Sequence, residues 1–216
     1  MSQEMLGYTL LADGSSDQAL MSVLNWLLIR HGVAAFRGRW ADLRSLRHPP
    51  KRLAARISVA LEMYPCDLLF IHRDAEGMPF TTRRSEILNT LSELSDVNLP
   101  TICVVPVRMQ EAWSLIDEPA IRKAAGNPNG RGRLEIPRLD ELESLSNPKE
   151  VLHGLLREAS GLPPRRKFYP QTSAFRIPEF IDDFSTLLHL SAFERLDGDV
   201  REIVWANSWH QAPPTD

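Results

Sequence analysis

Residues 67–77 read Asp67-Leu68-Leu69-Phe70-Ile71-His72-Arg73-Asp74-Ala75-Glu76-Gly77, and the change of character after Ile71 decides the fold. A short unbroken apolar run marks a strand covered on both faces, and such strands belong to parallel sheets flanked by helices.

Toward the N-terminus, Leu6 to Ala12 (LGYTLLA) is a second β-favouring run, closed by Asp13-Gly14-Ser15-Ser16, which combines turn chemistry with helix N-caps. Ala19, Leu20, Val23, Leu24, Leu27 and Leu28 recur at three- and four-residue spacing, predicting a helix over Asp17–Arg30 that stops before Gly32. A brief strand is expected at Val33–Phe36. After Pro49-Pro50 the spacing of Leu53, Ile57, Ala60 and Leu61 predicts a second helix, ending before Pro65.

Toward the C-terminus, a helix over Thr82–Leu94 leads into Thr101–Val107 (TICVVPV), the most β-branched segment of the chain. Pro106 cannot donate to a ladder, which places that end at the sheet edge or the strand's exit. Strands thus alternate with helices over residues 1–109. The expected fold is α/β, a parallel sheet of about four strands with right-handed crossovers and helices on both faces.

From Gln110 onward only helical patterns follow: Glu111–Asp117, Pro119–Ala125, Pro148–Ser160, Pro178–Leu188 and Asp199–Ala206. Residues 110–210 are therefore expected as a helical extension packed on the core, with loops such as Gly126–Gly132 between helices. Residues 211–216 read as a mobile tail.

Composition narrows the class. A chain of 216 residues suits one domain with a small appendage. With Lys+Arg 25 against Asp+Glu 28, the net charge of -3 excludes a dedicated nucleic-acid coat protein. Hydrophobic content of 43% with 25% charged residues excludes disorder and a coiled coil as the main architecture. Cys66 and Cys103 make no CxxC pair and read as buried free thiols. The opening MSQEMLGYTL has no cationic start before an apolar region, and Ser22 and Asn25 interrupt the longest apolar stretch. A cytoplasmic protein without membrane segments is expected.

Ligands of open parallel sheets bind in the crevice beyond the carboxyl ends of the strands. Acids fall there in this chain: Asp13 after the first strand, Asp74 and Glu76 after the third, Glu111 after the fourth. If the loop is locally extended, Asp74 and Glu76 point the same way. Like charges gathered in this manner call for a cation, and hard oxygen donors suit Mg²⁺ or Mn²⁺. Each acid also has a structural reading. Asp13 could serve as a turn residue or N-cap, and Asp17 reads as a first-turn acid favoured by the helix dipole. Asp117 lies about 120° around a helix from Glu111, so Glu111 is preferred as the fourth ligand.

These residues carry a resemblance. Asp13-Gly14-Ser15-Ser16-Asp17, Asp74-Ala75-Glu76, Glu111-Ala112-Trp113-Ser114-Leu115-Ile116-Asp117, Pro148-Lys149-Glu150 and Ser191-Ala192-Phe193 occur in that order. The series resembles the Toprim-like family called domain of unknown function 4276, related to topoisomerases, primases and nucleases of the overcoming-lysogenization-defect type. The resemblance spans nearly the whole chain. It implies a Toprim-like sheet, general acid/base or metal work for Asp13, and magnesium binding for Asp74 and Glu76. Two positions depart from the family pattern: Asp13 stands for a glutamate, and Glu76 for an aspartate. The implied activity is metal-dependent phosphodiester cleavage, in which the ion polarises the phosphate and activates a water. Because the chain has no ATP-binding motif, the ATPase that accompanies such nucleases would be a separate subunit, in a setting of phage defence. The competing expectation is a non-catalytic interaction or regulatory module, and a third is processing of a nucleotide or small phosphate ester.

Basic residues add a nucleic-acid candidate. Arg37, Arg39, Arg44, Arg47, Lys51, Arg52 and Arg56 face a single acid, Asp42, with Trp40 and His48 among them. This stretch is either a phosphate-backbone surface or a solvated helix face. Arg73 and Arg108, beside the acids, could hold a phosphate or neutralise carboxylates, and Arg165-Arg166-Lys167 is a lesser candidate. His72-Arg73-Asp74 is not a kinase loop, since Pro79 stands where the asparagine is required. Gly126–Gly132 lacks the Gly-Lys-Ser/Thr of a phosphate loop. Trp113 reads as a core residue.

Overall fold

The computed structural model describes residues 5–94, 97–163 and 165–211; residues 212–216 of the expected tail lie outside them. Strands β1 (Leu6–Leu11), β2 (Phe36–Trp40), β3 (Leu68–His72) and β4 (Thr101–Val104) form one sheet in the order β2-β1-β3-β4, every neighbouring pair parallel. Helices α1 (Leu20–Arg30), α2 (Leu53–Met63) and α3 (Phe80–Ser92) connect the strands in turn. Then come α4 (Glu118–Ala124), α5 (Pro148–Ser160), α6 (Pro170–Ala174) and α7 (Ser191–Ala206).

Successive strand residues point to opposite faces, and both faces are dry. Tyr8, Leu10, Phe70, Ile102 and Val104 pack with Leu24 and Leu28 of α1 and with Ile121, Leu156, Phe193 and Val204 of the later helices. Leu11, Leu69, Ile71 and Cys103 pack with Ile57 and Ala60 of α2 and Ile87 of α3. The later helices therefore complete the cover that α1 begins, and share its core. Trp113 is buried there, edge-on to Phe193 with ring centroids 5.2 Å apart. Both cysteines are free thiols, Cys103 buried and Cys66 half-buried.

Several boundaries differ from expectation. Strand β2 begins at Phe36, where the expected strand Val33–Phe36 ends. Val33 is consumed in closing α1: its N–H bonds the Leu28 carbonyl at 3.0 Å, and Gly32 takes φ 80°, the left-handed cap that glycine favours. Gly38 in β2 lies under the Tyr8 ring, where a Cβ would collide with Tyr8 and Met21. The Tyr8 hydroxyl donates to Asn25 Oδ1 at 2.6 Å. Glu111–Asp117 holds only a 3₁₀ turn, Gln110–Ser114. Pro178–Leu188 resolves into two 3₁₀ turns, Ile177–Phe180 and Ser185–His189. Between them the Asp183 carboxylate binds the Ser185 N–H and hydroxyl at 2.9 and 2.6 Å, which favours a turn over a continuing helix. Helix α7 starts at Ser191, ahead of the expected Asp199, and α6 had no sequence expectation. Gln211, the first residue of the expected tail, donates its N–H to the Gly32 carbonyl at 2.9 Å.

Among the described residues no helix is long and apolar enough to cross a membrane. β4 is an edge strand that ends before Pro106, as its missing donor requires. From β1 the chain moves outward to β2, and from β3 it moves the other way to β4. The loops leaving β1 and β3 thus diverge and open a crevice between adjacent strands, the switch point where open α/β sheets place ligands.

Candidate active site

The crevice is built from the end of β3 and from the segments that follow β1 and β4. Beyond β1, the Asp17 carboxylate turns back on its own loop, accepting the Gly14 N–H at 2.7 Å and the Ser16 hydroxyl at 3.2 Å. These bonds hold it buried at the start of the turn before α1. His72 ends β3 and is 2% exposed. Its Nδ1 lies 3.0 Å from the Val104 carbonyl of β4. A carbonyl oxygen only accepts, so Nδ1 carries the donated proton and Nε2 faces the crevice. There it meets Asp74 Oδ1 at 3.5 Å and Asp17 Oδ2 at 3.8 Å.

The exit of β4 completes the arrangement. Gln110 donates its backbone N–H to Asp74 Oδ1 at 3.1 Å, and its amide reaches the Ser16 carbonyl at 3.4 Å. The next residue, Glu111, is buried, and its Oε1 lies 3.2 Å from Lys149 Nζ of α5. Asp17 and Asp74 therefore flank one buried imidazole, and Glu111, from the exit of β4, stands near enough for its charge to act on Asp74. Burial pushes the Asp74 carboxyl up to about 6; the charges of Glu111 and Asp17 add to this, against His72 and the Gln110 N–H.

Two of the expected ligands lie elsewhere. Asp13 is exposed, and its carboxylate is held by Arg56 and by Arg73 Nε, the latter at 3.3 Å. Burial raises the Asp13 carboxyl, but the two guanidinium groups outweigh it and hold it below the ordinary range. Glu76 is 71% exposed in its side chain and faces Arg83 Nη2 at 3.7 Å. The extended loop expected for Asp74-Ala75-Glu76 is not formed. Glu76 and Gly77 take φ 52° and 85°, a turn closed by the Met78 N–H on the Ala75 carbonyl at 2.9 Å. Asp74 and Glu76 consequently diverge.

Of the basic candidates, Arg73 neutralises carboxylates, pairing with Glu86 as well as Asp13. Arg108 is half-buried, its guanidinium beside Gly77. Arg39, Arg44, Arg47, Lys51 and Arg52 are exposed along β2 and the approach to α2. Arg44 makes a two-point bond to Asp42, at 2.8 and 3.0 Å, and lies 5.0 Å over the Trp40 ring.

Asp17, His72 and Lys149 are the site residues that sequence reasoning left out. A signal existed for two of them: Asp17 is the second acid of the Asp13–Asp17 segment, and Lys149 lies in Pro148-Lys149-Glu150. His72 carried no such signal: it follows the expected end of the strand at Ile71, whereas β3 extends through it.

The donor set suits a hard divalent cation by its chemistry: two aspartates beside a ring nitrogen and a nearby glutamate, with Asp74 raised by burial and further by the charges of Glu111 and Asp17. Among the described residues no three His, Cys, Asp or Glu side chains form a ready-made ligand group. Ion binding therefore requires Asp17, Asp74 and Glu111 to draw closer than they stand. Comparisons with protein-family models, curated proteins and solved structures gave no match to this chain.

Proposed function

We propose that the chain is a divalent-metal-dependent phosphodiester hydrolase of Toprim type that acts on nucleic acid, with Asp74 at the centre of its site. The observation that carries this reading is that Asp17 and Asp74 flank the buried His72 while the charges of Glu111 and Asp17 both act on Asp74. Asp74 and Glu111 match the resemblance's acidic segments, and Asp17 takes the place first given to Asp13 and Glu76.

Asp17, Asp74 and Glu111 would hold Mg²⁺ or Mn²⁺, which when bound offsets charge on a scissile phosphate and acidifies a water. His72, anchored by Val104, presents Nε2 to both aspartates. Lys149 balances Glu111 and supplies a cation beside the reacting phosphate. Arg39, Arg44, Arg47, Lys51 and Arg52 form the surface that follows a phosphate backbone. Asp13 positions Arg56 and Arg73, and Arg108 borders the loop that carries Asp74. The resemblance extends the proposal to a separate ATPase subunit and a role in phage defence. Two free thiols agree with a reducing cytoplasm.

The test is incubation of plasmid, single-stranded DNA and RNA with the protein in Mg²⁺ or Mn²⁺. Cleavage that disappears in Asp74→Asn and in Glu111→Gln supports the reading. Lack of cleavage of every substrate overturns it in favour of a non-catalytic module. One observation favours that second reading: Asp13 and Glu111 already have cationic partners.

A further inference from the structure

A cavity of about 500 Å³ opens beside the acidic cluster and shares Gln110 and Glu111 with it. Its apolar wall comes from Trp40 at the end of β2, Leu152 of α5 and Phe175 just beyond α6. Arg44 and Lys149 bring two cations to its rim, and Gln171 and Thr172 add amide and hydroxyl groups. This size lies in the range of small-ligand sites, roughly 300 to 1,000 Å³.

The lining is selective. A wholly apolar ligand would leave the Gln171 amide without a partner. A polyphosphate needs a denser cationic cradle than one arginine, already paired with Asp42, and one lysine, already paired with Glu111. A flat ring with hydrogen-bonding edges and a single anionic group suits the apolar wall and the two cations, with Glu111 the one carboxylate in the lining. The ring lies on Phe175, which is 40% exposed although large and apolar, and the anionic group meets Arg44 and Lys149.

We propose that this cavity is a nucleotide subsite, accepting one base with one phosphate beside the Asp74 cluster. Identifying the ring as a nucleobase rests on the hydrolase reading above; the cavity's preference for a ring with one anionic group does not. The nucleotide comes either as a free nucleoside monophosphate or as one unstacked residue of a single strand.

The experiment is calorimetric titration of the whole protein in the presence of a chelator, which separates binding from any metal-dependent cleavage. The probes are adenosine and uridine monophosphates, adenosine, ribose 5-phosphate and a short single-stranded oligonucleotide. A monophosphate or the oligonucleotide is expected to bind at least about tenfold more tightly than ribose 5-phosphate, since stacking on an aromatic side chain is worth about that factor or more. Phe175→Ala is expected to remove that advantage, and Phe175→Leu, which keeps apolar bulk, to remove most of it. Arg44→Gln should weaken the monophosphate and leave adenosine unchanged. Binding of the oligonucleotide alone identifies the strand as the source; binding of the monophosphate alone identifies the free nucleotide. The proposal is overturned if no nucleotide probe binds at millimolar concentration, or if the Phe175 variants bind as the parent does. Nucleotide binding without cleavage of any nucleic acid in Mg²⁺ or Mn²⁺ would retain the subsite and remove the hydrolase.

Discussion

Lys149 Nζ stands 3.2 Å from Glu111 Oε1, joining two sequence segments that lie far apart in the chain. Glu111 is buried while Lys149 is half-exposed, so the lysine is the replaceable partner and the glutamate the one left stranded. Lys149→Met is expected to cost about 1 to 3 kcal/mol in urea unfolding, the penalty of an unpaired buried group. Lys149→Met combined with Glu111→Gln should recover most of that loss, because no charge then remains to be balanced. Additive losses in the double variant would show that the pair is not coupled.

Asp74 sets a pH dependence of a definite sign. Its folded carboxyl lies at about 6 against an ordinary 3.8, so the folded state binds the extra proton between those values. The stability this contributes is full below about 3.8 and is lost as pH rises through about 6. Asp74→Asn, measured with a chelator present, should therefore be more stable than the parent at pH 8 by up to roughly 3 kcal/mol. The gain should vanish toward pH 4. Urea unfolding at the two pH values checks this; a variant equally stable or weaker at pH 8 would refute the burial argument.

How much of this could be read beforehand depends on the kind of residue. Runs such as Leu68–Ile71 and Thr101–Val104 declare themselves because both faces are buried and nearly every residue is apolar. Phe36-Arg37-Gly38-Arg39-Trp40 does not: as an edge strand with exposed arginines it is a strand only because β1 pairs with it, Leu6 opposite Phe36 through Leu10 opposite Trp40. The same limit hid the site. Acids at strand exits were visible, and of these Glu111 lies near enough for its charge to act on Asp74. Choosing Asp17 over Asp13 required knowing that Gly14 and Ser16 fold the Asp17 side chain inward while Arg56 and Arg73 hold Asp13 at the surface. Those are through-space facts, as is the positive φ at Glu76 that swings it from Asp74.

Gly38 offers a test of the fold beneath the site. Its missing side chain makes room for the Tyr8 ring, whose hydroxyl binds Asn25 of α1. Gly38→Ala forces Tyr8 or Met21 to move and should cost about 1 to 3 kcal/mol by overpacking. Tyr8→Phe in the Gly38→Ala background should then cost less than Tyr8→Phe alone, since the hydrogen bond would already be disturbed. Gly38→Ala with parental stability would show that the ring accommodates a methyl group freely.

If Asp17, Asp74 and Glu111 form one cation site at the mouth of the sheet, thermal melting across a Mn²⁺ titration will reveal it. An ion that binds only the folded state must raise the melting temperature as its concentration grows. Such a rise is expected in the parent protein and in Asp13→Asn, and its loss in Asp74→Asn. No rise at millimolar Mn²⁺, or an undiminished rise in Asp74→Asn, would contradict it.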